Sequence, residues 1–249
     1  MKKNVLFLIF TAVSLSLLFT SCDGDDLSNT SVIKESQKEE NDFDRWLKKN
    51  YVTPYNIDLK YRFEEIESDL NYQLVPAEYK KAIQITKLVQ YLCLEAYDEV
   101  TGSKEFIKNN FPKMIHLVGS AAYRNNGTMV LGTAEGGLKI TLYYINQLQL
   151  DPAYLNYYYF KTIHHEFSHI LHQTKPYSTD FNMISGPDYV SDTWNSAYPT
   201  EADALKKGFI SPYSSKESDE DFVELIAVYV TNSPESWQDK MTTAGAGAS

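Results

Sequence analysis

Apolar residues recur at three- and four-residue spacing along one stretch of the chain: Tyr159, Phe160, Ile163, Phe167, Ile170 and Leu171. That spacing draws a single stripe down a helix. Asp151-Pro152 offers an N-cap and a first-turn proline ahead of it, and Pro176 bounds the far end. A second apolar helix opens at Ser218-Asp219-Glu220-Asp221, with Phe222, Val223, Leu225, Ile226 and Val230 available for packing. Upstream, residues 42–50 look helical and residues 76–100 carry helical spacing over a long span. Asn56-Ile57-Asp58-Leu59-Lys60-Tyr61-Arg62-Phe63 alternates apolar and polar, the mark of a half-buried strand. Met114-Ile115-His116-Leu117-Val118 reads as another strand, closed by Gly119-Ser120. Asn126-Gly127 signals a hairpin turn before Thr128-Met129-Val130-Leu131, and Gly136-Gly137 a further turn before residues 138–145. Strands thus precede the striped helix and helices follow it, an order that predicts an α+β domain.

The stripe leaves the opposite side of its helix to His165, His169 and His172. His165-Glu166-Phe167-Ser168-His169 reads H-E-x-x-H. At about 100° per residue the first and last histidines lie one turn apart on one face. Both imidazoles can therefore reach one Zn²⁺, with Glu166 beside them as a general base for water. A third protein ligand is needed. His172 is the local option, but its backbone lies roughly 10.5 Å along the axis from that of His165. Zinc–nitrogen bonds of about 2.0–2.1 Å leave little slack for three histidines on one straight helix. Lining the cleft or capping the helix end suits His172 better. Glu220 and Glu224 are four apart and face the same way. One can ligate zinc while the other accepts the free N–H of a ligand histidine. The bland alternative is that acids simply favour a helix N-terminus.

These residues resemble the gluzincin metallopeptidases, in which H-E-x-x-H is completed by a glutamate on a later helix. The resemblance implies a zincin-like fold with a twisted mixed sheet over the H-E-x-x-H helix. It implies one Zn²⁺ per chain, with Glu220 as third ligand and Glu224 as the acid behind it. Tyr213 stands seven residues before Glu220, where lethal-factor-like gluzincins carry a tyrosine facing the reacting carbonyl; tyrosine is also abundant here, with 19 residues. A broader resemblance rests on Pro54-Tyr55-Asn56-Ile57, Tyr61-Arg62-Phe63, Leu131-Gly132-Thr133-Ala134-Glu135-Gly136-Gly137, the run from His164 to Gln173, and Glu220-Asp221-Phe222-Val223-Glu224. Together they look like the zinc metallohydrolase lipoproteins of Bacteroidetes, tied to substrate import. Such proteins tend to be encoded beside TonB-dependent importers and their substrate-binding lipoproteins, which implies those partners here. Members of that family run on with a further helix, so an ending at Ala244-Gly245-Ala246-Gly247-Ala248-Ser249 would leave core surface uncovered.

Lys2-Lys3 followed by the apolar residues 5–19 is a basic-then-apolar signal, too short for a lasting membrane span. It ends in Phe19-Thr20-Ser21-Cys22, which resembles a bacterial lipobox. Residues 1–21 then form the signal peptide, Cys22 carries the lipid, residues 22–40 form an acidic tether, and residues 41–249 form one domain. Asp23-Gly24-Asp25-Asp26 resembles the surface-export signals of Bacteroidetes lipoproteins, which implies an outer-membrane, cell-surface location. Removal of the signal leaves 21 basic against 33 acidic side chains, a net of −12. That balance, with no basic stripe, excludes nucleic acid as a partner and leaves the lipid as the sole membrane contact. Cys93 sits in an apolar helical run and reads as a small buried hydrophobe.

The reaction that fits best is hydrolysis of a peptide bond in a protein or peptide substrate, by zinc-activated water with Glu166 as base and Tyr213 assisting the oxyanion. The competing reading is a non-catalytic substrate-binding lipoprotein of a TonB-dependent import system. An edge strand of the sheet would pair with an extended substrate, and residues 132–137 either form a binding loop near it or use their glycines only for the turn. His116 reads as a satisfied core histidine, with a place in the cleft as the alternative.

Overall fold

A computed structural model of the chain describes residues 39–125 and 127–245. The signal peptide, Cys22 and most of the tether lie outside the described residues, as do Asn126 of the hairpin signal and the last four residues of the chain. Among the described residues no helix is long and apolar enough to cross a membrane.

The alternating run near residue 58 becomes strand β1 (Asp58–Lys60), and the run at residue 114 becomes β2 (Met114–Leu117). The hairpin signal sits between β3 (Ala122–Tyr123) and β4 (Met129–Val130), an antiparallel pair turned at Gly127, whose φ of 80° suits glycine. Then come β5 (Gly132–Glu135) and β6 (Lys139–Leu142), joined through Gly136 and Gly137. The main sheet has the order β1-β2-β6-β5. Its first three strands run parallel and β5 antiparallel to β6, so the sheet is mixed.

Of residues 132–137, for which the sequence left a binding loop and a plain turn open, Gly132–Glu135 is an edge strand, and Gly136 and Gly137 make the turn that their pairing signalled. Gly-Thr-Ala-Glu carries no large apolar residue, so period-two alternation was hidden there. Gly132 has a specific packing role: a Cβ at that position would stand 2.4 Å from Thr162 Cγ2. Its absence lets β5 lie directly against the helix beneath.

One face of the sheet carries Leu59, Ile115, Leu117, Ile140 and Leu142, all buried in the main hydrophobic core. Ile163, Phe167 and Ile170 of the striped helix join the same core. The helix itself begins as read: Asp151 accepts the Tyr154 N–H, Pro152–Leu155 makes the first turn, and Asn156–Phe160 is wound as π-helix. The regular part spans Lys161–Thr174 and is called the histidine helix below. The long helical span upstream is present as Tyr79–Val89, a π-helical stretch Gln90–Leu94, and Glu95–Thr101, ended by Gly102 in left-handed conformation. Cys93 is fully buried there, as expected, and burial pushes its thiol up to about 12.

The first helix, Asp42–Leu47, starts with a reciprocal cap between Asn41 and Asp44. Arg62 grips Asp44 through two hydrogen bonds of 2.9 and 2.7 Å, and the Tyr61 hydroxyl adds a third at 2.8 Å. The Tyr61-Arg62 pair thus ties the end of β1 to the first helix. Beyond the acidic helix, Ser218–Thr231, lies one further helix, Pro234–Ala244, which sequence reading did not single out. Its Ala244 joins Leu205, Ile210 and Val228 in a separate small core, with Trp237 and Met241 packed against it.

Candidate metal centre

The histidine helix and the acidic helix pack closely, and that contact builds the site. His165 and His169 point their Nε2 atoms at one carboxylate oxygen, Glu220 Oε2, at 3.1 and 3.2 Å. These three side chains form the one His/Cys/Asp/Glu group among the described residues whose ligand atoms converge enough for a metal ion. The spacing meets a simple test. Tetrahedral zinc with bonds of about 2.0–2.1 Å sets its ligand atoms roughly 3.3 Å apart. The two nitrogen–oxygen distances of 3.1 and 3.2 Å fit that, all three ligand atoms lie within 4.8 Å of one another, and three protein ligands leave a position open.

Two of the three ligands, His165 and Glu220, are held from behind. His165 Nδ1 stands 2.9 Å from Glu224 Oε1. Glu224 is buried, and it also receives the Lys161 ammonium at 3.0 Å on both oxygens and the Ser211 hydroxyl at 2.7 Å. Burial alone would raise the Glu224 pKa, yet Lys161, His165 and Ser211 hold it well below the usual carboxylate range. Glu220 Oε1 accepts from the Tyr213 hydroxyl at 2.8 Å and from Lys216 Nζ at 2.9 Å. One oxygen is thereby fixed, and the other is left to face the histidines. Burial opposes ionisation of Glu220 as well, but both histidines and Lys216 keep it strongly depressed. For His165, burial disfavours the cation, and the Glu220 and Glu224 carboxylates outweigh it, raising the imidazole to about 9.

Glu166 lies beside this cluster, half-buried, with its carboxylate accepting the Ala134 N–H of β5. Burial pushes its pKa up, against the pull of His165 and His169. A carboxylate so placed is a ready proton acceptor next to the ligand set. The edge strand therefore anchors the candidate base.

His172 stays apart from the cluster. Its ring stacks on Tyr177 at 4.5 Å and its Nε2 is 3.6 Å from Asp219 Oδ1, near the end of the histidine helix. Asp221 turns to the Tyr189 hydroxyl at 3.0 Å, and burial lifts its carboxyl to about 7. His116 is fully buried in β2, as a core histidine should be, but neither ring nitrogen finds a hydrogen-bond partner among the described residues, so it is not the satisfied one expected. His164 faces Tyr97, whose hydroxyl is 3.0 Å from its Nδ1, and burial pushes it down to about 4.

Sequence reasoning missed Lys161, Ser211 and Lys216. Lys161 had a legible signal, since it sits four residues before His165 on the same helix and so shares its face. Lys216 stands four before Glu220 but outside the acidic helix, in the short turn Tyr213–Lys216, so helical spacing did not mark it. Ser211 had no local signal, because it lies in a loop and meets Glu224 through tertiary packing. Lys161→Met leaves Glu224 buried with less compensation. The expected result is a stability loss of about 3 kcal/mol, the low end for a broken buried pair because Ser211 and His165 remain. Zinc affinity should fall ~10–100-fold with it, as for other partners behind a ligand. Denaturant unfolding and a zinc titration check both numbers; unchanged zinc affinity would show that Glu224 does not depend on Lys161.

The chain matches, over residues 35–249, a family model described as "Putative zinc-binding metallo-peptidase". A crystal structure from Bacteroides caccae with the same description is 46% identical and superposes with a TM-score of 0.70. That similarity covers 86% of this chain and 81% of the other. No curated protein matches. With two histidines of an H-E-x-x-H helix converging on a glutamate from a later helix, and a family match over most of its length, this chain belongs to that zinc-binding metallo-peptidase family.

Proposed function

We propose that the chain is a zinc-dependent peptidase that hydrolyses peptide bonds, with His165, His169 and Glu220 holding one Zn²⁺ and Glu166 as general base. The observation that carries this reading is the seating of Glu220 Oε2 between the two Nε2 atoms while Glu166 stands free of the ligand set. When bound, zinc would supply Lewis acidity toward water and the substrate carbonyl. Glu166 takes the proton from the attacking water and returns it to the leaving amine. Glu224, backed by Lys161 and Ser211, fixes the orientation of His165. Lys216 and Tyr213 hold Glu220 to a single free oxygen. For Tyr213 to help an oxyanion, its hydroxyl must exchange the 2.8 Å bond to Glu220 for one to the substrate.

Strand β5 is one edge of the sheet, and an extended peptide added along it would run past Glu166. The sequence features at the N-terminus place this activity, in our reading, on a lipid-anchored protein at the cell surface, beside a TonB-dependent importer. Cleavage there would shorten polypeptides for uptake. The test is hydrolysis of an unstructured protein such as casein by the chain lacking residues 1–22. We expect cleavage that a chelator abolishes and stoichiometric zinc restores. Persistent cleavage in the metal-free protein would contradict the assignment.

A further inference from the structure

We propose that Trp194 is a positioning residue: its indole sets the path of the Tyr213 ring as the hydroxyl passes from Glu220 to the developing oxyanion. This proposal rests on the peptidase reading above. Tyr213 and Lys216 belong to one short turn, Tyr213–Lys216, just ahead of the acidic helix. Both reach the same oxygen of Glu220, the tyrosine hydroxyl at 2.8 Å and the ammonium at 2.9 Å. The hydroxyl is therefore the donor that Glu220 can give up. When it leaves for the substrate, Glu220 Oε1 keeps its charge-assisted hydrogen bond to Lys216.

The surroundings of the ring steer that movement. The His165 imidazole stands with its centroid 5.9 Å from that of Tyr213, and the Lys216 ammonium lies 5.7 Å from the ring centre. The Trp194 indole is closer, at 5.2 Å and 84°, in a T-shaped contact. His165 and Lys216 are themselves bound to the Glu220 carboxylate. Trp194 is held by other means. The Val190 N–H donates to the Ser215 carbonyl at 2.8 Å, and Ser215 is fully buried, which docks this segment on the turn that carries Tyr213. Ser191 follows with a φ of 51°, a left-handed conformation that serine adopts only at a cost. That bend brings the chain through Ser191–Thr193 to Trp194, the first residue of the short helix Trp194–Ala197.

Packing accounts for the other two tryptophans. Trp46 lies against the main core, and Trp237 against the small core around Ala244. Trp194 is half-buried and joins none of the three hydrophobic cores among the described residues. Its ring meets Tyr213 instead. A phenol that turns about its side-chain torsions needs a wall to stop it at the reacting carbonyl, where a misplacement of about 1 Å costs as much as ~10²-fold in rate.

The test is a double-mutant cycle on zinc-saturated protein, with kcat and KM measured on fluorescein-labelled casein. Tyr213→Phe should lower kcat by about 10–100-fold, less than the loss of a sole oxyanion donor because zinc would share the charge. Trp194→Ala should lower kcat by about tenfold with KM within about threefold of the wild type, since the hydroxyl remains but reaches the wrong position. Trp194→Phe, which keeps an aromatic ring there, should recover most of that loss. In the Tyr213→Phe background, Trp194→Ala should lower kcat no further. An equal loss in both backgrounds, a loss confined to KM, or an unchanged kcat in Trp194→Ala would overturn the proposal. Trp194→Leu keeps the apolar bulk and takes the place of the alanine variant in the cycle if the latter shows no cooperative thermal transition. If Tyr213→Phe alone leaves kcat intact, this proposal falls while the peptidase reading stands. If the zinc-saturated wild type leaves casein uncut, the peptidase reading fails and this proposal with it.

Discussion

Glu166→Gln should lower peptide hydrolysis by about 10²–10⁴-fold, the range for loss of a positioned general base, while zinc content stays at the wild-type level. The two halves of this result have separate physical causes. The amide keeps the size of the carboxylate and can still meet β5 near Ala134, so the helix and its histidines are undisturbed. What it loses is the basicity of the carboxylate, since an amide oxygen accepts a hydrogen bond but does not take a proton from water. Glu166 makes none of the contacts at 3.1 and 3.2 Å that gather His165, His169 and Glu220. Steady-state kinetics on one peptide, beside metal analysis of the same preparation, checks both. Full activity in the variant would remove Glu166 from the base role; loss of zinc would make it a ligand.

The second large effect concerns the third ligand. Glu220→Ala should weaken zinc binding by more than the ~10–100-fold typical of a partner behind a ligand, because a direct donor is gone. It also leaves the Lys216 ammonium and the Tyr213 hydroxyl without their shared acceptor. His172→Ala should leave zinc affinity unchanged, since His172 stacks on Tyr177 and faces Asp219 instead of the cluster. Competition against a chromophoric zinc chelator reads both variants on one scale. The reverse order of effects would exchange the two assignments.

Much of this site was legible because helices carry their own register. Four-residue spacing alone put His165 beside His169 and Glu220 beside Glu224. The meeting of the two pairs was not legible from spacing, because it depends on how the two helices dock. Resemblance to gluzincins supplied that expectation, and the structure gives it distances. Strands were harder. β1 announced itself by alternation and β2 by a short apolar run closed at Gly119-Ser120, whereas β5 hid in small and polar residues whose pairing is decided by β6. Gly132 explains the choice of residue: close approach to Thr162 left no room for a side chain. The helix Pro234–Ala244 was missed because its apolar positions are few, with Trp237, Met241 and Ala244 meeting a core built from distant residues. Ser211 reaches Glu224 only in the folded chain, so no local pattern could mark it.

The central claim is that His165, His169 and Glu220 hold zinc, and metal content tests it most directly. The chain lacking residues 1–22, purified without added metal and shown to be folded by a cooperative thermal transition, should carry about one zinc per chain. A folded protein that neither retains zinc nor takes it up at micromolar concentration would contradict the claim.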